Sequence, residues 1–142
     1  MSDENNTMVR RFAQIFTTGN LDDADELFAP GFYARLPGSL ETLDREGWKE
    51  FTRPFMTGFS ERELVVESVI AEGDEVAARV NFHGRHTGDF QGTPPTGREI
   101  KFTGTAWFRI ADGKVVEHWG EFDGMSLMQQ LGVGPSPEGT QG

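Results

Sequence analysis

Apolar positions along this chain follow two rhythms, helical in its first part and strand-like after residue 62. Val9, Phe12, Ala13 and Phe16 fall at i, i+3, i+4 and i+7, the stripe of an amphipathic helix. Gly19 in "TTGN" predicts its end. Asn20 is a candidate cap for a second, short helix whose first turn holds Asp22 and Asp23. "APG" at 29–31 breaks that helix, and "FYARL" reads as a short strand. "DREGWKEFTRPF" brings Trp48, Phe51 and Phe55 onto one face of a third helix, which Pro54 kinks or ends.

From residue 62 on, Leu64, Val66 and Ile70 alternate with polar positions. Gly73-Asp74 marks a turn. Val76, Ala78, Val80 and Phe82 then alternate against Arg79, Asn81 and His83. "TGDFQGTPPTG" is a loop. "EIKFTGTAWFRI", "ADG" and "KVVEHWGEFD" form a hairpin, and "MSLMQQLG" is a last helix closed by Gly132. Helices first and hairpins after define an α+β fold. The expected architecture is a cone-shaped, curved antiparallel (mixed) sheet wrapped around the N-terminal helices and enclosing a pocket. A single domain covers 1–142, with 1–7 and 134–142 as flexible tails.

The hairpin decides which side chains share a face. "I-A-D-G-K" fits a three-residue loop with Gly113 as a left-handed bulge. Ile110 would then pair with Lys114, and Trp107 with Glu117. That register groups Thr105, Trp107, Arg109, Glu117, Trp119, Glu121 and Asp123 on one face. Ala106, Phe108, Ile110, Val116 and Phe122 occupy the other. Two tryptophans mixed with charges suggest a polar-lined aromatic pocket. The smoother apolar face is then expected to pair with a second subunit, and His118 to point away from Asp123 toward a surface or an interface.

Composition narrows the chemistry. With no cysteine and three scattered histidines, the chain has no thiolate chemistry and no convincing metal shell. A net charge of −10 disfavours a nucleic-acid partner. No apolar run reaches the ~20 residues needed to cross a bilayer. The polar start "MSDENNT" does not resemble a signal peptide. A cytoplasmic protein is expected, without metal or cofactor, acting on a small molecule.

The motifs "GRHTGDFQGTPPTGREI" and "FRIADGKVVEHW", followed by an acid at 123 and "QQLG", resemble the SnoaL-like polyketide cyclases of the nuclear transport factor-like superfamily. The resemblance covers residues 8–133 and is strongest from 83 on. It implies a cofactor-free enzyme that closes a ring of a polyketide-like or aromatic substrate by intramolecular aldol-type condensation. It assigns the acid/base part to Asp123, at the join of last strand and last helix. Arg109 stands, with Trp107, where such cyclases carry Gln and His, and as a fixed cation it could hold an enolate. Trp107, Trp119, Glu121, Arg79, His83, His86, Trp48 and Phe16 are the candidate substrate-binding residues. Several have plainer readings: Asp123 is also a good helix cap, His86 sits in a Gly-bounded turn, and Trp48 and Phe16 suit a core. The alternatives are a relative of the epoxide hydrolases or hydroxylases using Asp123 with Arg109, a non-catalytic small-molecule binder, and a dimerisation module.

Overall fold

A computed structural model describes residues 2–133. The elements run α1 (Ser2–Thr18), a single 3-10 turn (Leu21–Asp23), α2 (Ala24–Leu27), β1 (Phe28–Arg35), α3 (Arg45–Gly58), β2 (Phe59–Glu72), β3 (Glu75–His86), β4 (Glu99–Ala111), β5 (Lys114–Phe122) and α4 (Gly124–Leu131). The five strands form one sheet in the order β1-β5-β4-β3-β2. β1 runs parallel to β5, and the other neighbours are antiparallel. The expected α+β cone, with helices ahead of the hairpins, is therefore the fold. Helix α1 reaches back to Ser2, into the segment expected to be a tail. The tail 134–142 lies outside the described residues.

Local chemistry sets several boundaries. Asp44 caps α3 by accepting from the Gly47 amide at 2.8 Å. Asn20 does not cap with its side chain, which donates instead to Asp23. Pro54 lies inside α3 and does not end it. Packing offsets its missing amide, because Phe55 in the next position meets Phe90 at 5.1 Å and Phe122 at 5.7 Å. Lys49 is buried on α3 and reaches Asp22, Asp25 and Glu46 at 3.0–3.2 Å. Burial pulls its pKa down, but these three acids outweigh that and raise it. The ion cluster ties α3 to the short helical segment before β1.

The "GRHTG…PTG" stretch is a clasp. The buried ring of His86 accepts from the Thr96 amide through Nδ1 at 3.1 Å. Backbone bonds from His86 to Arg98 and from Gly97 to His86 close the loop. Gly88 crosses the end of α3 so closely that any Cβ would strike the Thr57 carbonyl. The "QQLG" motif clasps similarly: the Gln130 amide accepts from Lys101 N at 3.0 Å and donates to Lys101 O at 2.6 Å, standing in for a strand neighbour. Among the described residues no helix is long and apolar enough to cross a membrane.

The hairpin differs from expectation in its loop. Ala111 pairs with Lys114 and Ile110 with Val115, a two-residue Asp112-Gly113 turn with φ of 53° and 76°. The register then shifts, because Val116 is an extra residue before Glu117 pairs with Arg109. Trp107 faces Trp119, not Glu117. From Arg109 inward the pairing has moved by two residues, so the expected grouping survives from Glu117 to Asp123, whereas beside the turn Val115, not Val116, is the fully buried valine.

Candidate active site

Which face is covered is opposite to expectation. Helices α1 and α3 lie on the face of Ala106, Phe108, His118 and Phe122. Phe12 of α1 packs edge-on to Phe108 at 5.0 Å, and Phe51 of α3 approaches Phe122 at 6.4 Å. The face expected to bind a second subunit is therefore interior. Ala106 and Phe108 are buried, with Ile110 and Val116 half-buried at its edge.

The core divides into two aromatic clusters. One gathers Phe12, Trp48 and Phe108, the other Phe55, Phe82 and Phe102, and Phe16, Met56 and Leu64 border both. Between them lies a cavity of about 90 Å³. Phe12, Phe16, Trp48, Phe51, Thr52 and Phe55 roof it from the helices. Its floor is bare sheet at Gly104, Ala106 and Gly120. The space exists because these positions are small. A Cβ on Gly120 would stand 2.9 Å from Leu36 Cδ2, and one on Gly104 2.9 Å from the Glu121 carbonyl oxygen.

The expected site residues separate. Trp48 and Phe16 line the cavity. Glu121 borders it at the end of β5, but its residue is exposed. Trp107, Arg109, Glu117 and Trp119 sit on the outer face as one network. Arg109 Nε donates to Glu117 Oε1 at 3.1 Å, Trp119 Nε1 to Glu117 Oε2 at 2.7 Å, and Trp107 Nε1 to Glu75 at 3.2 Å. Burial pushes the Glu117 carboxyl up, and the hydrogen bonds from Trp119 and Arg109 more than offset it, leaving its pKa lowered. Arg109 also lies 5.2 Å over the Trp107 ring and 3.4 Å from Asp74. Trp and charge share this face because carboxylates satisfy the indole N–H groups, not because the face lines a pocket. Arg79 is exposed, and His83 borders a shallow surface depression with Arg85 and Glu99. His86 belongs to the loop clasp.

Asp123 is exposed and is not part of the cavity wall. Its Oδ1 accepts from the Ser126 amide at 3.0 Å and caps α4. Asp123→Ala is therefore expected to lower stability by about 1 kcal/mol. Asp123→Asn, which still caps, should shift it by no more than a few tenths. Urea denaturation of both variants checks this, and equal losses would show that the cap contributes nothing.

His118, expected at a surface or an interface, is instead buried and lines the cavity, as does Thr52, which no sequence signal singles out. His118 shares the strand parity of Phe122, which was placed on the apolar face. Strand parity carries this signal, but it does not say which face of the sheet the helices cover.

A cone-shaped sheet with an aromatic cavity under N-terminal helices defines a fold built around a small-molecule pocket. The SnoaL-like polyketide cyclase profile matches residues 6–131, and the chain belongs to that family. The aklanonic acid methyl ester cyclase DauD of Streptomyces sp. strain C5 is 33% identical over 138 residues, covering 93% of this chain and 84% of its own. Among solved structures, IdmH of Streptomyces antibioticus, described as a candidate polyketide cyclase, is 32% identical with TM-score 0.80, covering 91% of this chain and 99% of its own. AclR of Streptomyces galilaeus, described as a candidate hydroxylase, is 25% identical with TM-score 0.85, covering 94% and 88%. The chain is a SnoaL-like cyclase enzyme.

Proposed function

We propose that this enzyme closes a ring in a polyketide-like or aromatic substrate by intramolecular aldol-type condensation. The observation that carries the reading is the aromatic cavity with a bare backbone floor and one imidazole edge in its wall. At about 90 Å³ it is narrow, so a flat activated ring enters while the bulk of a larger substrate stays at the mouth. The reaction is redox-neutral and rearranges bonds within one molecule, so it needs no metal, nucleotide or flavin. Incubation with aklanonic acid methyl ester, the substrate in the name of DauD, is the test. A ring-closed product of unchanged mass is expected. No turnover of this compound or of smaller aryl β-keto esters would count against the reading.

Two groups can move the proton, Asp123 and His118. For Asp123 to do so, its carboxylate must release the Ser126 amide and turn inward. The epoxide hydrolase alternative would also need Arg109 beside it, and Arg109 is engaged on the outer face by Glu117 and Asp74. The geometry favours His118. Asp123→Asn is expected to keep turnover within about fivefold, equivalent to about 1 kcal/mol in the barrier. A loss of about 100- to 10,000-fold would return the acid/base part to Asp123.

The homodimer reading moves to the outer face, where Trp119 is 45% and Tyr33 41% exposed. Exposed aromatics beside a sheet suit an interface core. Trp119→Glu is expected to weaken self-association by at least about tenfold in sedimentation, and unchanged association would remove this face from the proposal. A cytoplasmic setting fits an enzyme of this chemistry.

A further inference from the structure

His118 projects from β5 to the cavity side and is fixed by its neighbours. Its ring stacks on Phe108 at 4.8 Å with 16° between the planes, and it meets Phe12 at 5.1 Å. Nδ1 lies 3.1 Å from the Trp107 carbonyl oxygen. A carbonyl only accepts, so Nδ1 carries the hydrogen. In a neutral imidazole this leaves Nε2 with a bare lone pair. The Nε2–Cε1 edge borders the space over Gly120, where an ideal Cβ would lie 3.4 Å from Nε2 and 3.6 Å from Cε1. Nε2 makes no hydrogen bond with any described residue.

His86 provides the contrast. Its Nε2 also lacks a partner, but that atom is sealed inside the protein and its ring lies against Phe59 at 5.5 Å. His118 instead lines the cavity, with Nε2 turned toward Gly120 of the same lining. The carboxylate-bearing residue at the cavity, Glu121, borders it at the end of β5 and is exposed.

We infer that His118 is the catalytic base of this cavity, its Nε2 taking the activated proton from a substrate carbon flanked by carbonyls. The inference rests on the cyclase reading. As the C–H bond breaks and the N–H bond forms, the electron pair passes into an enolate. The enolate carbon attacks a second carbonyl of the same molecule, forming the C–C bond and sending the carbonyl π electrons to oxygen. The imidazolium returns its proton to that alkoxide. Substrate and product are isomers, and His118 ends as it began.

Burial keeps the ring uncharged and eases return of the proton. It also weakens the imidazole as a base, so the step requires a carbon made acidic by two flanking carbonyls. Burial pushes the pKa of His118 down to about 4, against which the Trp107 hydrogen bond acts only partly. The ring is therefore uncharged and ready to accept at neutral pH. Once formed, the imidazolium is held only by the adjacent enolate, so it surrenders the proton readily. Thr52 is buried in the α3 wall, and its hydroxyl makes no hydrogen bond among the described residues. It is placed to donate to the developing oxyanion.

The test is His118→Asn. Its amide N–H can still reach the Trp107 carbonyl, but it offers no base. Turnover of aklanonic acid methyl ester and deuterium exchange at the activated carbon are both expected to fall about 100- to 10,000-fold. Binding of methyl benzoylacetate, followed by quenching of tryptophan fluorescence, should persist. A folded variant that keeps exchange and turnover within about fivefold (~1 kcal/mol) overturns the inference and leaves the cyclase reading standing. Wild-type protein that neither exchanges nor cyclises overturns the reading and the inference together. If the variant does not fold, 15N spectra of histidine-labelled wild type decide. A bare-nitrogen Nε2 resonance that moves when methyl benzoylacetate binds supports the inference. A protonated Nε2, or one unmoved at saturation, overturns it.

Discussion

Phe108→Ala is expected to destabilise the fold by about 3–5 kcal/mol without weakening association between copies. Phe108 is fully buried, with its ring edge-on to Phe12 at 5.0 Å and stacked on His118 at 4.8 Å. Truncation removes apolar burial and both ring contacts, and aromatic pairs of this kind add about 0.5–1.5 kcal/mol each beyond burial. The surrounding β4 and β5 backbones are locked by their ladder and cannot collapse into the void. The void would also run toward the cavity, so turnover should suffer even where the variant remains folded. Urea denaturation followed by circular dichroism gives the loss, and sedimentation gives the oligomeric state. A loss below about 1 kcal/mol, accompanied by a shift to monomer, would put Phe108 back on an intermolecular face.

The elements themselves were legible in the sequence. The Val9–Phe16 stripe, the Trp48–Phe55 face and the period-two runs reappear as α1, α3 and the strands. Gly132 ends α4 with φ of 83°, as a left-handed C-cap should. The grouping of β4 and β5 side chains also held from Glu117 to Asp123, although for a different reason than expected. A two-residue turn plus a bulge at Val116 preserves the same parity as the three-residue loop.

What alternation cannot say is which face the helices cover. Trp107, Trp119 and Arg109 looked like pocket chemistry because two large aromatics rarely face water together. The structure places them outside, where Glu117 and Glu75 accept from both indoles. Burial follows the more continuous apolar set, Ala106, Phe108 and Phe122, and His118 goes inside with it. Asp123 was the most visible acid, at a strand-to-helix join, and such joins also demand caps. The cavity itself was hardest to foresee. It is made by absence, at Gly104, Ala106 and Gly120, and small residues carry no pattern of their own.

Acidification from pH 6.5 to 4 is expected to cost the fold on the order of 3 kcal/mol through His118 alone. Its ordinary pKa is 6.5, and burial lowers it to about 4 in the folded protein. The unfolded chain therefore takes up the proton first. Stabilisation from the neutral ring is complete above pH 6.5, declines as pH falls, and is gone below about 4. Carboxylates blur this range in a simple titration: Glu117, whose pKa is lowered, also stops stabilising the fold as it protonates. The difference between wild type and His118→Asn removes them, because both proteins share every carboxylate and Asn does not titrate. Urea midpoints measured across the range should show the wild type losing about 3 kcal/mol more than the variant. Parallel curves would mean that the His118 ring charges freely within the fold. The Nδ1–H to Trp107 carbonyl arrangement would then not enforce a neutral imidazole, and the bare Nε2 on which the proposed proton transfer depends would be lost with it.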